Sequence, residues 1–160
     1  MGAINLTIVS GGQTGADRAA LDWAIKNGIT HGGWCLKGRK AEDGPIDNRY
    51  RLNETPKADY LQRTEWIVRD SDGTVIFTIA ALLSGGSKAT AEFATKHRKP
   101  FLHLSAAARE KAAARLKAFL REYPFTVLNV AGTRGSKEPT IGKFVHETLD
   151  QAFEKNKMFE

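Results

Sequence analysis

The residues of this 160-residue chain with the plainest chemical purpose are glycines, hydroxyls and cations gathered at three points. Ser10 to Gly15 reads S-G-G-Q-T-G, Ser84 to Thr90 reads S-G-G-S-K-A-T, and Ala131 to Ser136 reads A-G-T-R-G-S. Gly11, Gly12 and Gly15 allow bare backbone to approach a ligand, and a helix opening just after such a turn aims unpaired N–H groups and a positive dipole end at it. That combination suits an anion, most often a phosphate. Around these turns stand Gln13 and the hydroxyls of Ser10, Thr14, Ser84, Ser87, Thr90, Thr133 and Ser136, with the cations Arg18, Lys88 and Arg134. Charge-assisted hydrogen bonds to phosphate are the strong kind, and arginine grips with two donors. Neither G-x-G-x-x-G nor the Walker pattern is present, so one such turn alone would only join a strand to a helix. Three of them predict a phosphate site built from Gly11, Gly12, Gln13, Thr14, Gly15, Arg18, Ser84, Gly85, Gly86, Ser87, Lys88, Thr90, Gly132, Thr133 and Arg134.

Glu92 has two readings. In a pocket it would serve as a general base or stabilise a developing sugar cation. On an exposed helix it would pair with Lys88 or Lys96, each four residues away, for roughly a few tenths of a kcal/mol. Asp17, Asp70 and Asp72 could hold magnesium, but Asp70 and Asp72 sit in a D-S-D-G turn that already accounts for them. His31, His97, His103 and His146 lack metal spacing, so no structural metal is expected. Cys35 is the lone cysteine, with no visible catalytic companion, and reads as a buried structural thiol.

The elements that must position these groups follow from pattern. Ile4 to Val9 is a β-branched run ahead of the first turn, and Ala16, Ala20, Trp23 and Ala24 recur at helical spacing after it, with Asn27-Gly28 as the stop. Ile29 to Leu36 is a possible short strand. Residues 37–56 have no clear period and read as one long loop, a length that marks a lid, a binding loop or a disordered insertion. Ala58 to Arg69 has a weak amphipathic face, and Thr74 to Ile79 is a continuous run of β-formers expected to be a central strand covered on both faces. After the second glycine turn a helix runs through Ala91 and Lys96, then a strand over Phe101 to Leu104. Ser105 can cap a helix from Ala106 to Arg121. Phe125 to Val130 is another strand, and Pro139 suits the first turn of a last helix ending at Glu154. Strands alternating with helices predict an α/β fold: a Rossmann-like three-layer sandwich with a mostly parallel central sheet and helices on both faces. All three turns follow strands and so share the carboxyl edge of the sheet, where ligands of such folds sit.

Composition points to one soluble domain spanning 1–160, with 41% apolar and 26% charged residues. No apolar run is long enough to span a membrane and no signal-like segment opens the chain, so a cytoplasmic protein without a membrane partner is expected. The net charge is +6, and Lys88 to Arg121 supplies it, with nine basic residues against Glu92 and Glu110. This excess falls on alanine-rich helical sequence without an aromatic stripe, which reads as a solvated face rather than a nucleic-acid surface. Trp34 and Tyr50, near the long loop, suggest apolar area for a second copy in a homo-oligomer.

Four stretches carry a family resemblance: G-G-Q-T-G-A-D-R-A-A-L-D-W-A at Gly11 to Ala24, W-C-L-K-G-R-K-A-E-D-G at Trp34 to Gly44, R-T-E-W-I-V-R-D-S-D-G-T at Arg63 to Thr74, and N-V-A-G-T-R at Asn129 to Arg134. In this order they resemble the family named "putative molybdenum carrier", and the likeness covers nearly the whole chain. That family is similar in fold to the cytokinin-activating "lonely guy" phosphoribohydrolases and to the algal molybdenum cofactor carrier, all Rossmann-like. Their second signature, P-G-G-x-G-T-x-x-E, resembles Ser84 to Glu92, with Ser84 for the proline, Lys88 for the third glycine and Ala89 for the threonine. The resemblance implies ligand binding at Gly11, Gly12, Thr14, Gly15, Gly85 and Gly86. Three expectations result: a carrier of a phosphate-bearing nucleotide or of molybdenum cofactor; a phosphoribohydrolase cleaving the N-glycosidic bond of a nucleoside 5′-monophosphate with Glu92; or a nucleotide-sensing module that signals to a partner.

Overall fold

A computed structural model describes residues 5–153. In chain order these form β1 (Thr7–Ser10), α1 (Ala16–Lys26), β2 (His31–Cys35), β3 (Lys40–Ala41), β4 (Gly44–Pro45), β5 (Asn53–Glu54), α2 (Tyr60–Asp70), β6 (Gly73–Thr78), α3 (Gly85–Lys96), β7 (Phe101–Ser105), a 3-10 turn (Ala106–Lys111), α4 (Ala112–Glu122), β8 (Val127–Gly132) and α5 (Ile141–Ala152). Six strands make one sheet in the order β5-β2-β1-β8-β6-β7. Every pairing in it is parallel, as expected for strands joined through helices. The chain runs outward from β1 to β2 and β5, crosses to β6 and β7, and returns to insert β8 between β1 and β6. The order therefore reverses at the centre of the sheet, and there the strand ends leave a crevice.

Alternation sets the layers. Ile8, Leu128, Val75, Val130, Phe77 and Leu104 point to one face, where Trp23 of α1, Leu116 and Phe119 of α4 and Phe144 and Leu149 of α5 complete the main core. Each such fully buried side chain is worth about 1.5–3 kcal/mol of transfer free energy. Thr74 and Asn129 are register partners facing the other way, under α2 and α3. The most apolar stretch, β6, is buried at all six positions, which is what a central strand covered on both faces demands.

The helix ends follow local chemistry. Asp59 caps α2 by accepting from the Leu61 N–H at 2.9 Å. Ser105 accepts from the Ala107 N–H at 3.1 Å, as expected of a cap, but the expected single helix from Ala106 is two pieces. Ala108 leaves helical geometry (φ −128°, ψ 45°), so the first turn is 3-10 and α4 begins at Ala112.

Other boundaries differ from expectation. β1 starts at Thr7, not Ile4, and Ile4 and the expected helix end at Glu154 lie outside the described residues. The second glycine turn is not a turn before a helix, because Gly85 already opens α3 and the Ser87 and Lys88 amides both close onto the Ser84 carbonyl. Gly132 of the third turn ends β8.

Residues 37–56 also depart from a structureless loop. β3 and β4 form a two-residue antiparallel hairpin, and β5 extends the main sheet beside β2. Ile46, Tyr50 and Leu52 pack with Leu21 and Cys35 in a small second core. Tyr50 is thus covered by its own chain and not exposed as expected, whereas Trp34 stays half-buried, packing edge-on against Trp66 at 4.9 Å and donating to Asp70.

Candidate functional site

β1, β6 and β8 release their three connections at the same edge, and these enclose a cavity of about 320 Å³. Gly11 and Gln13 line it from the first connection, Ser84, Gly86, Ser87 and Thr90 from the second, and Gly132, Thr133 and Arg134 from the third. The convergence expected from the three glycine-bearing stretches is therefore present. The fourth wall is α2, through Tyr60, Leu61, Arg63, Thr64 and Ile67, and Asn129 on β8 is part of the floor.

The remaining candidates lie elsewhere. Gly15 is pressed against the backbone of the third connection, where an added Cβ would stand 2.4 Å from the Thr133 carbonyl oxygen and 2.6 Å from the Gly135 nitrogen. Its role is to let two connections touch. Arg18 donates to the Gly12 carbonyl at 2.9 and 3.1 Å and pairs with Asp43 at 3.0 Å, so it faces the hairpin and not the cavity. Lys88 and Glu92 are exposed on α3 and are not among the cavity residues. One of the two expected partners of Glu92 is engaged otherwise, since Lys96 pairs with Glu65 at 2.8 Å.

Amide availability also differs from the simple turn argument. Gly12 N–H donates to the Ser10 hydroxyl, Gln13 N–H to Asp17, Thr14 N–H to the Gln13 side chain and Ala16 N–H to the Thr133 carbonyl. The first turn spends these donors on its own folding. Gly86 remains exposed at the opening of α3, whose dipole end faces the cavity.

The cations that do line the cavity are Arg63, Arg134 and Lys137. Arg63 lies on the bare face of Gly11, its Cζ 2.6 Å from where a Cβ would stand, and donates to the Gly11 carbonyl at 3.3 Å. Its guanidinium sits 5.4 Å from the Tyr60 ring centre and that of Arg134 sits 5.3 Å from the same ring, so one tyrosine orients two cations. Arg63 Nε and Asn129 Oδ1 are buried without a hydrogen-bond partner among the described residues. Unsatisfied buried polar atoms are rare and costly, and here both belong to cavity residues.

Two carboxyls share the space. Glu138 accepts from the Ile79 N–H at 3.1 Å, fixing the second connection to the third. Asp17 is buried 3.8 Å from Arg63, and burial pushes its carboxyl up against the opposing pull of that arginine. Three cations against these two acids leave the cavity suited to an anionic guest. Burial likewise pushes the Cys35 thiol up, as befits an inert buried cysteine.

Arg63, Tyr60, Asn129 and Lys137 escape the sequence reading as site residues. Arg63 and Asn129 do lie within the stretches that carry the family resemblance, but a lone arginine on a weakly amphipathic helix gives no sign of which way it faces.

A parallel sheet with helices on both faces and a lined crevice at its reversal point defines a Rossmann-like fold. Residues 8–153 match the circularly permutated YpsA SLOG family, and the chain belongs to it. Among solved structures it is similar to the crystal structure of a protein from Syntrophus aciditrophicus described as a "putative molybdenum carrier protein", with 45% identity, a TM-score of 0.89, and coverage of 92% of this chain and 94% of that one. The resemblance read from the four stretches is thereby established. The comparison with curated proteins gives no match. Among the described residues no helix is long and apolar enough to cross a membrane.

Proposed function

We propose that the chain binds a small phosphate-bearing ligand, a nucleotide or the pterin-phosphate of molybdenum cofactor, in the cavity between β1, β6, β8 and α2. The observation that carries this reading is the meeting of Arg63, Arg134, Lys137 and the start of α3 around one space of about 320 Å³, a volume of small-ligand size. Arg63 and Arg134 would hold the anion, the opening of α3 would favour negative charge, and Tyr60, Leu61 and Leu82 would take the flat apolar part. Leu61 and Leu82 are 58% and 82% exposed, unusual for leucine and consistent with cover by a ligand. The likeness to a protein described as a molybdenum carrier supports the same reading.

Titration calorimetry with a panel of nucleoside monophosphates, molybdenum cofactor and molybdate tests it. Binding of one phosphate-bearing ligand is expected, with thermal stabilisation of about 2.7 kcal/mol at a hundred times Kd. Arg63→Gln removes a charge-assisted bond worth about 1.5–3 kcal/mol, or roughly tenfold to a hundredfold in Kd. Glu92→Ala leaves affinity unchanged. No heat with any of these ligands, or binding indifferent to Arg63, refutes the proposal.

A further inference from the structure

The tip of the β3–β4 hairpin brings two carboxylates of the chain onto the glycine-bearing connections. Glu42 Oε1 accepts from the Ser136 hydroxyl at 2.6 Å and stands 3.8 Å from Arg134 Nη1. Its Oε2 accepts from the Ser136 N–H at 3.1 Å and from the Thr14 hydroxyl. Because that hydroxyl itself accepts from the Gly135 N–H at 3.1 Å, its single proton is directed at Glu42. An amide, two hydroxyls and a guanidinium thus converge on one carboxylate, the donor set that recognises an oxyanion. The Glu42 side chain is 21% exposed, and the Ser136 and Thr14 hydroxyls hold its carboxyl below the usual range. Asp43, next along the tip, takes both terminal nitrogens of Arg18 at 3.0 and 3.2 Å. The anion that the sequence calls for at Thr14, Arg18 and Arg134 is present, and the chain supplies it.

The hairpin is built so that its tip can leave while its base stays. At the base, Arg39 donates to the carbonyls of Ile46, Asp47, Tyr50 and Leu52, and Ile46, Tyr50 and Leu52 are buried. At the tip, residues 40–45 form the two residue pairs of β3 and β4, Lys40 adds one isolated bridge back to Leu36, and Glu42 and Asp43 are exposed. The tip is fastened by the pair of carboxylates, by one bond from the Glu42 N–H to the Gln13 side chain at 2.9 Å and by Ala41, which packs at the edge of the small second core. Gln13 and Arg134 are also cavity residues, and Gln13 donates to the Tyr60 hydroxyl at 3.0 Å. The tip and a cavity ligand therefore draw on the same side chains.

We propose that Glu42 is a built-in anion: it occupies an oxyanion position formed by Thr14, Arg134 and Ser136, and a tetrahedral oxyanion such as phosphate or molybdate takes that position by displacing the 40–45 tip. The proposal shares Arg134 and, through the Glu42 N–H bond, Gln13 with the cavity described above, and otherwise rests on different residues. Competition of this kind lowers apparent affinity by the fraction of molecules with the tip away, so an open state populated about a tenth of the time costs about tenfold. The oxyanion can be free or the phosphate of a larger ligand, and the assay separates the two.

Affinities for inorganic phosphate, molybdate and AMP are measured by calorimetry on the full chain, on Glu42→Gln and on Glu42→Asp, with thermal unfolding to confirm that each folds. Glu42→Asp withdraws the carboxylate by one methylene and keeps its charge, so it serves if the glutamine variant does not fold. Expected is binding on the order of tenfold tighter in either variant for at least one oxyanion, and faster tryptic cleavage at Lys40 in the unmodified chain when that oxyanion saturates it. Gain for phosphate and AMP alike marks a site for either source; gain for AMP alone marks a phosphate held by the rest of a nucleotide. Unchanged or weaker binding in a folded variant, or protection of Lys40 by the oxyanion, overturns the proposal and makes Glu42 a permanent clamp. If AMP binds in an Arg63-dependent way with no gain from Glu42→Gln, this inference fails and the cavity reading stands. If Glu42→Gln binds phosphate while neither form binds any nucleoside monophosphate or molybdenum cofactor, the cavity reading fails and this one stands.

Discussion

Gly15→Ala is expected to be a severely damaging single-methyl change beside the site, and the structure gives its scale. Gly15 has φ +83°, where an L side chain costs about 1–2 kcal/mol. The added Cβ would also meet the Thr133 oxygen at 2.4 Å, the Gly135 nitrogen at 2.6 Å and the Arg134 carbonyl carbon at 2.7 Å, all backbone atoms that cannot rotate away. Forcing packed backbone apart adds about 1–3 kcal/mol. The total, about 3 kcal/mol, lowers Tm by roughly 6–12 °C for a chain of this size. Gly86→Ala is the matched control, since its Cβ would meet nothing within 4 Å and Gly86 lies inside α3. There alanine is the better helix former by up to about 1 kcal/mol, so Tm is expected to hold or rise. Its methyl projects where the cavity is lined, so ligand affinity is expected to fall while stability does not. Thermal unfolding by circular dichroism, paired with calorimetry on the same samples, reads both. Equal melting temperatures for the two variants, or a lower one for Gly86→Ala, would refute the argument that Gly15 exists to join the connections.

Two further outcomes are expected. A carboxyl raised by burial, as Asp17 is, keeps its proton in the folded state at pH values where the unfolded chain has released it, so stability falls as pH rises from its ordinary value through the raised one. Asp17→Asn keeps an acceptor for the Gln13 N–H without that penalty, and should melt higher than the unmodified chain at pH 7 but not at pH 3; a lower melting point at pH 7 would mean that the ion pair with Arg63 outweighs burial. Leu116→Ala empties a fully buried position of α4 against the sheet and should cost about 2–5 kcal/mol in urea unfolding with an unchanged slope; a cost below about 1 kcal/mol would place Leu116 outside the main core.

The fold was legible because its signals are local and redundant. Thr74 to Thr78 is β-branched or aromatic throughout and could only be a covered strand, and Asn27-Gly28 and Ser105 mark helix ends by their own chemistry. The misplaced boundaries fall where local preference and tertiary need diverge. Gly85 and Gly86 are poor helix residues by propensity, yet they open α3 because Ser84 offers its carbonyl to two amides and the helix must begin at the cavity. Ala106 to Lys111 reads as ideal helix, but the turn out of β7 bends at Ala108 before α4 can lie on the core.

The site was legible only as far as one connection can be read without the others. That three glycine-bearing stretches share an edge follows from strand-helix alternation, and the cavity bears it out. Which donors stay free does not follow, because the answer depends on residues far away in sequence. Thr14 and Ser136 are 122 positions apart yet bind one carboxylate, that of Glu42, from a stretch whose lack of period hid its hairpin. Arg63, 52 positions from Gly11, fills the space that the missing Cβ leaves. A glycine-rich turn therefore specifies that something must come close to its backbone. Whether the visitor is a ligand or another part of the same chain is decided by the elements packed around it, and here the first connection receives an arginine on one side and a glutamate on the other.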